Sequence, residues 1–278
     1  MGYVDLHTHS TASDGSLTPT ELVTYAVAKG LTAIALTDHD TTEGLEEATI
    51  AGNNTGLEVV PGIEISAQYE TGTMHILGYF IDPGNPALRS NLARLQEARR
   101  TRNPRILEKL AQLGVHITIE DVEEASGGGQ IGRPHIAQAI VKKGYANDVN
   151  YVFDHYLTKN GPAYVDKFRF SPEDSISLIK TAGGRACLGH PFTLFVKDNV
   201  MLDQMVAGLK AKGLEAIEVY YPDHTPEQTA TFLHLAKKYD LFPTGGSDFH
   251  GRAKPRVDLG IGYGALRVPY ELLDHMKS

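Results

Sequence analysis

Two histidines two residues apart close the first apolar run of the chain, Tyr3–His9, as His7-Thr8-His9. On a β-strand that spacing puts both imidazoles on one face, where they can grip one metal ion. Asp14 follows in the next loop. Similar groups border the other apolar runs: Thr37-Asp38-His39-Asp40, Pro61-Gly62-Ile63-Glu64, His75, Leu188-Gly189-His190-Pro191 and Gly246-Ser247-Asp248-Phe249-His250, the last again an i, i+2 pair. A lone histidine at a strand end is more often a packed or surface residue than a ligand. Six histidines and three carboxylates converging on strand ends are different, because such a cluster is costly to bury without a cation. His7, His9, His39, Glu64, Asp248 and His250, joined by Asp14, His75 and His190, therefore read as metal ligands. His116, His155, His224, His234 and His275 read as helical or surface residues; His135 is kept as a candidate.

These side chains need strand ends that converge. Seven β-rich runs, Tyr3–His9, Thr32–Thr37, Glu58–Ser66, Met74–Phe80, Arg185–His190, Ala216–Tyr221 and Phe242–Asp248, alternate with helical patterns over Pro19–Lys29, Pro172–Thr181, Met201–Lys212 and Pro226–Tyr239. Several runs are nearly all apolar, as in strands covered on both faces. Proline after Thr18, Ser171 and Thr225 marks helix starts, and Gly30, Gly183 and Gly213 suit the left-handed residue just past a helix end. The alternation predicts an α/β fold on a mostly parallel sheet, either closed as a seven-stranded barrel or open and doubly wound. In both, active sites gather at the carboxyl ends of the strands. The rhythm breaks over residues 83–161, which read as an inserted helical subdomain. It starts with a long charged helix over Pro86–Leu113, kinked at Pro104, and a Gly127–Gly129 turn. A helix over Arg133–Lys143 and a shorter one near Tyr151–Leu157 follow. Residues 1–82 and 162–278 then make the metal-binding barrel, and 83–161 shape the substrate site.

Composition narrows the classes. A chain of 278 residues, 41% hydrophobic and 22% charged, can bury a core without staples. Its single cysteine, Cys187, excludes an internal disulfide, thiolate zinc sites and iron–sulfur clusters. No run approaches the ~20 apolar residues of a membrane helix, and the N-terminus has no secretory pattern, so a cytoplasmic protein is expected. The net charge of −8, from 26 basic and 34 acidic residues, argues against a stable duplex nucleic-acid partner. An anionic substrate needs positive charge built at the site.

In combination, His7-Thr8-His9-Ser10, Asp14-Gly15, Thr37-Asp38-His39-Asp40, Gly62-Ile63-Glu64, the His75 run, Gly189-His190-Pro191 and Ser247-Asp248-Phe249-His250 resemble the PHP family, the polymerase and histidinol phosphatase family. The likeness extends over essentially the whole chain outside the insertion. It implies a distorted seven-stranded (β/α)7 barrel holding two or three divalent metal ions. Carried over by position, His7, His9, Glu64 and Asp248 would hold one ion. Glu64 would bridge to a second, held with His75 and His190, and Asp14, His39 and His250 would hold the third. No ligand position is substituted, and Glu64, His190 and Asp248 are the catalytic candidates. Three ions bring six positive charges and three carboxylates remove three, an excess that attracts phosphate. The mechanism expected is the paired-metal one, in which a hydroxide shared between two metals attacks phosphorus in line. His-rich ligation favours manganese, with iron or zinc as alternatives, over magnesium or calcium.

Substrate choice is expected in the insertion. Gly127-Gly128-Gly129-Gln130-Ile131-Gly132-Arg133-Pro134-His135 places a flexible loop before a helix N-terminus, with Arg133 at the cap. Backbone amides and a guanidinium there make a second anion site, and a capped helix with solvated charges is the equal alternative. Arg133, His135, Lys167 and Arg169 are the substrate-binding candidates, with Arg252 a further charge. No Gly-Lys-Ser/Thr follows, so the loop is not a phosphate loop of the Walker kind. Within the family, Ile131-Gly132-Arg133-Pro134-His135-Ile136-Ala137 makes the insertion similar to that of stand-alone bacterial phosphoesterases. The resemblance is to the nucleoside 3′,5′-bisphosphate phosphatases, some of which trim short RNA from the 5′ end. The activity this implies is release of the 3′-phosphate from a small bisphosphate nucleotide, giving the 5′-mononucleotide. Two alternatives stay open: a histidinol-phosphate phosphatase, and a non-catalytic nucleic-acid-binding or accessory PHP module. The first needs a site for a cationic substrate, and the second sits poorly with the net charge and the full ligand set. A structural metal protein would not need nine ligands.

Overall fold

The computed structural model describes residues 2–277. Helix starts follow local chemistry: in α1 (Pro19–Ala28) the Thr18 hydroxyl accepts from Glu21 N, and Glu21 accepts in return from Thr18 N. Gly30, Gly183 and Gly213 lie in the left-handed region at φ of 72°, 77° and 98°, one residue past the caps of α1, α7 (Pro172–Thr181) and α8 (Asn199–Ala211). The remaining barrel helices are α2 (Leu45–Thr55), α9 (Pro226–Lys238) and α10 (Tyr270–Lys277).

The strands are β1 (Tyr3–Thr8), β2 (Ala33–Leu36), β3 (Glu58–Ala67), β4 (Met74–Tyr79), β5 (Arg185–Leu188), β6 (Ala216–Tyr220), β7 (Phe242–Gly245) and β8 (Val268–Pro269). They form one sheet in the order β7-β6-β5-β4-β3-β2-β1-β8. The β7 end of the sheet nearly reaches the far end of β1: His9 N donates to Phe249 O at 3.0 Å and Phe249 N to His7 O at 3.4 Å. The sheet therefore curls into an almost closed barrel, and the open doubly wound alternative falls away.

Among the described residues the strands number eight, where seven were expected. The two-residue β8, antiparallel to β1, is too short to leave a periodic signal. Strict alternation also breaks, because β3 and β4 pair antiparallel as a hairpin and β4 pairs antiparallel with β5. The other neighbours among β1–β7 are parallel.

One apolar core lies between the sheet and its surrounding helices, and another, with Val4, Leu77, Cys187 and Met276, fills the barrel. A separate core, with members from Ile106 to Val165, gathers around α3 (Pro86–Gln112), α4 (Ile119–Ser126), α5 (Arg133–Lys142) and α6 (Val149–Val152), the helices of the expected insertion. Helix α3 runs on as one element through Pro104, although the Arg100 carbonyl loses its helical donor there. Its first half, with Leu88, Leu92 and Leu95, packs into the barrel-side core. No described helix is long and apolar enough to cross a membrane.

Candidate metal centre

The carboxyl ends of the other strands, and the amino end of the antiparallel β4, deliver the predicted metal-ligating side chains to one place. His7 lies in β1 and His9 just beyond it, their rings 5.2 Å apart on one side. His39 follows β2, Glu64 is in β3, His75 in β4, His190 after β5, and Asp248 and His250 after β7. Three residues at these strand ends take left-handed backbone: Asp40 at φ 53°, His190 at 23° and Asp248 at 55°. Such conformations are costly for non-glycine residues and persist where the surroundings fix them. Here Asp40 N donates to Glu64 O, and His190 N to Glu218 Oε2.

Glu64 sits at the middle and divides its oxygens. Oε2 lies 3.2 Å from His7 Nε2, 3.1 Å from His9 Nε2 and 3.0 Å from His39 Nδ1. Oε1 faces His75 Nδ1 and lies 3.0 Å from His190 Nε2. On one flank Asp248 Oδ1 is 3.1 Å from His9 Nε2; on the other Asp14 Oδ1 is 3.2 Å from His250 Nε2. Three overlapping sets are compact enough to hold an ion: His7, His9, Glu64 and Asp248; His9, Asp14, His39 and His250; and His39, Glu64 and His75. His190 joins the last through Glu64 and through His75 Nδ1 at 3.2 Å.

The chemistry of these atoms fits a metal. His7 Nε2, His9 Nε2, His39 Nδ1 and Glu64 Oε2 are buried and crowd together, yet have no hydrogen-bond partner. Buried polar atoms are rarely left so; four aimed at one another are what a donor set around a cation presents. A neutral imidazole has one lone pair, so His9 and His39, each shared between two sets, can serve only one, whereas a carboxylate can serve two. Without a cation, protons fill in. Burial works against charge on His9, but Asp248 and Glu64 outweigh it and raise its pKa to about 9. Burial, helped by the neighbouring His9 and His75, takes His39 the other way, to about 3.

A second ring of residues, not picked out from the sequence, holds the first. Glu218 in β6 is fully buried; its Oε1 lies 3.0 Å from His7 Nδ1 and its Oε2 accepts from His190 N at 2.6 Å. A single acid inside the otherwise apolar run Ala216–Tyr220 was the available signal. Asp38 accepts from Ser10 N, Ser10 Oγ and Ser13 Oγ, bracing the loop that carries Asp14. Tyr221 and Lys254 both bond Asp248 Oδ2, and nothing in their sequence context marks them.

The insertion closes over β1 and β2. The glycine loop is docked rather than free: Gln130 N donates to Ala12 O and Gln130 Nε2 to His39 O. A Cβ on Gly129 would lie 1.7 Å from Thr11 O, so only glycine allows that approach. The N-cap of α5 is Gly132, and Arg133 is the first helical residue. Arg133 donates to Leu157 O and stacks on Tyr164 and Phe153. His135 accepts from Gly132 N through Nδ1, which leaves Nε2 as the donor of the neutral ring. Asp14 and His250 are among the charges His135 senses, so it stands near that flank. Lys167 and Arg99 both bind the buried Asp40, the first at 3.2 Å and the second at 2.5 Å. Arg169 pairs with Asp166. Arg252 is exposed and contributes its backbone N–H to Ser16 Oγ.

A PHP domain model matches residues 5–205. The chain is 34% identical over 268 residues to a 3′,5′-nucleoside bisphosphate phosphatase of Chromobacterium violaceum, covering 94% of this chain and 91% of that relative. It is 35% identical over 260 residues to the 5′-3′ exoribonuclease Rnm of Escherichia coli, covering 92% and 87%. A phosphoribosyl 1,2-cyclic phosphate 1,2-diphosphodiesterase of Eggerthella lenta is 34% identical over 257 residues, covering 89% and 94%. Among solved structures, one from Bifidobacterium adolescentis described as a metal-dependent phosphoesterase superposes with a TM-score of 0.87 at 34% identity, covering 98% of this chain and 94% of that one. With this match across the barrel and insertion and a cluster able to hold metal ions, the chain is a metal-dependent phosphoesterase and belongs to the PHP family.

Proposed function

We propose that the chain removes the 3′-phosphate of a nucleoside 3′,5′-bisphosphate, leaving the 5′-mononucleotide, and also trims short 5′-phosphorylated RNA. The observation that carries this reading is a second cationic centre beside the histidine cluster. Arg102 is 3% exposed, and its guanidinium donates to a neutral acceptor, Asn103 Oδ1. Burial, then the charges of Arg99, Arg133 and Arg169, bring its pKa down to about 9, so it keeps its proton at neutral pH. Lys167 adds a further charge, and the acids paired within this group are Asp40 and Asp166. A buried cation without its own carboxylate is costly unless an anion arrives. A substrate with one phosphate at the metal cluster and another among these cations answers both needs, whereas cationic histidinol phosphate would be repelled.

Divalent ions on the nine side chains, manganese first from the donor set and iron or zinc next, would neutralise phosphoryl oxygens and sharpen water as a nucleophile. The chain's own part is positioning. Glu64 spans the cluster through both oxygens, while His190 is held by Thr193 and Glu218. His135 offers its Nε2–H, and Arg102, Arg133, Lys167 and Arg169 hold the second phosphate.

The test is phosphate release from adenosine 3′,5′-bisphosphate by manganese-loaded protein. Histidinol phosphate, a ribose cyclic phosphate and 5′-phosphorylated short RNA run beside it. Turnover of the bisphosphate is expected. Arg102→Ala should raise its KM roughly 10- to 100-fold, the worth of a hydrogen bond to a charged group. Cleavage of histidinol phosphate or the cyclic ester, with the bisphosphate untouched, would overturn the reading.

A further inference from the structure

Asp248 turns its two oxygens to different neighbours. Oδ1 faces the imidazoles, 3.1 Å from His9 Nε2, 3.4 Å from His250 Nδ1 and 3.5 Å from His7 Nε2. Oδ2 is taken by the Tyr221 hydroxyl at 2.7 Å and the Lys254 ammonium at 2.5 Å. Lys254 thus stands one carboxylate width from the atom that faces the metal cluster.

Its setting differs from that of the cations on Asp40. There Lys167 and Arg99 have side chains only 3% and 11% exposed, as expected of ion pairs that brace a buried acid. The Lys254 side chain is 41% exposed. Its backbone is nevertheless pinned: Lys254 N donates to Gly251 O and Val257 N to Lys254 O, both at 3.0 Å. The preceding turn is tied down through Arg252 N to Ser16 Oγ and Ser16 N to His250 O. An ammonium carries three donors and Asp248 takes one of them. The result is a fixed base with an accessible head beside the cluster, contributed by the loop after β7 and not by the insertion.

We propose that Lys254 binds the phosphoryl group undergoing hydrolysis, bonding Asp248 Oδ2 with one N–H and the non-bridging phosphoryl oxygens with the others. The inference rests on the phosphoesterase reading above and adds a residue to it. In the reaction, the oxygen of water bonds to phosphorus, the bond from phosphorus to the ester oxygen breaks with its electron pair, and a proton from water ends on the departing alcohol. Lys254 neither gives nor takes a proton. It opposes charge on the oxygens in transit, where a fixed donor is worth most. The insertion cations act on the second phosphate, so the two groups leave different kinetic signatures.

The test compares wild type, Lys254→Met and Lys254→Arg as manganese-loaded full chains. Adenosine 3′,5′-bisphosphate and adenosine 3′-monophosphate are the substrates, with bound metal and the affinity for inorganic phosphate measured alongside. Lys254→Met should lower kcat on both substrates about 10²- to 10³-fold, as loss of one fixed donor does elsewhere. It should weaken inorganic phosphate about tenfold or more while bound metal stays at the wild-type level, and Lys254→Arg should recover part of both losses. Metal falling in step with activity would reduce Lys254 to a brace for Asp248 and overturn the proposal. So would unchanged kcat and phosphate affinity. If wild type cleaves neither substrate, the phosphatase reading fails by itself, and phosphate affinity still decides the place of Lys254.

Discussion

Because a neutral imidazole offers a single lone pair, the overlap of the three donor sets has consequences that substitution can read. His9 presents Nε2 to Glu64 and Asp248, and its Nδ1 lies 3.8 Å from Asp14 Oδ1. His9→Asn should therefore lower bound metal, by elemental analysis, and reduce phosphate release at least 10³-fold, because it strips a donor from the centre of the cluster. Glu218 is the converse case, a carboxylate that touches His7 and His190 only from behind. Glu218→Gln should weaken metal binding about 10- to 100-fold, the usual cost of losing such an outer partner. Activity should return at high metal concentration, which a metal titration of the rate would reveal. The inner residues were legible in the sequence because paired histidines and acids at strand ends are rare outside metal sites. Glu218 was passed over because it looks like one acid in an apolar strand, and Lys254 because its neighbours Arg252 and Arg256 make the segment read as solvated charge.

At the level of elements, local signals that act within one turn were readable. The Thr-Pro and Ser-Pro starts and the glycines past three helix ends each satisfy backbone groups close by. What was missed depends on distant packing. Helix α2, with Gly52, Asn53, Asn54 and Thr55, has poor intrinsic propensity and forms against its neighbour α1 and strand β3. The reversal of β4 follows from a connection too short for a crossover, a fact about chain length that apolar runs do not announce. The glycine loop was read as flexible, and its contact with Thr11 makes it a fastening instead. Gly129→Ala must move that loop off β1's outgoing turn at a cost of roughly 1–3 kcal/mol. The expected outcome is a lower melting temperature and a raised KM for the bisphosphate. Kinetics on a 3′-monophosphate, which lacks the second phosphate, should change far less.

Across the whole molecule, a chain of net charge −8 concentrates cations where one helix, α3, joins two cores. Arg99 reaches from it to Asp40, where Lys167 arrives from the returning chain, and Arg102 adds its charge nearby. Burial draws the Lys167 pKa down to about 7; Asp40 opposes the shift, and the charges of Arg99, Arg169 and Arg102 add to it. A lysine with a lowered pKa is charged below that value and neutral above it. The KM for a bisphosphate should therefore rise as pH climbs through about 7, measured at saturating metal. Lys167→Arg, which stays charged, should flatten that rise. If the profile of the variant matches wild type, the titrating group lies elsewhere.

The seam between β1 and the segment after β7 has a mechanical consequence. Asp5 and Ser247, joined by hydrogen bonds, stand 242 positions apart in the chain, and the donor atoms of His7, His9 and Asp248 lie along the same seam. An ion gripped by those three side chains is a cross-link between the beginning and the end of the polypeptide. Like a covalent clasp across a long loop, it would act on how fast the barrel springs open as much as on how firmly it stays shut. The cluster proposed for the chemistry would then also be the latch of the fold.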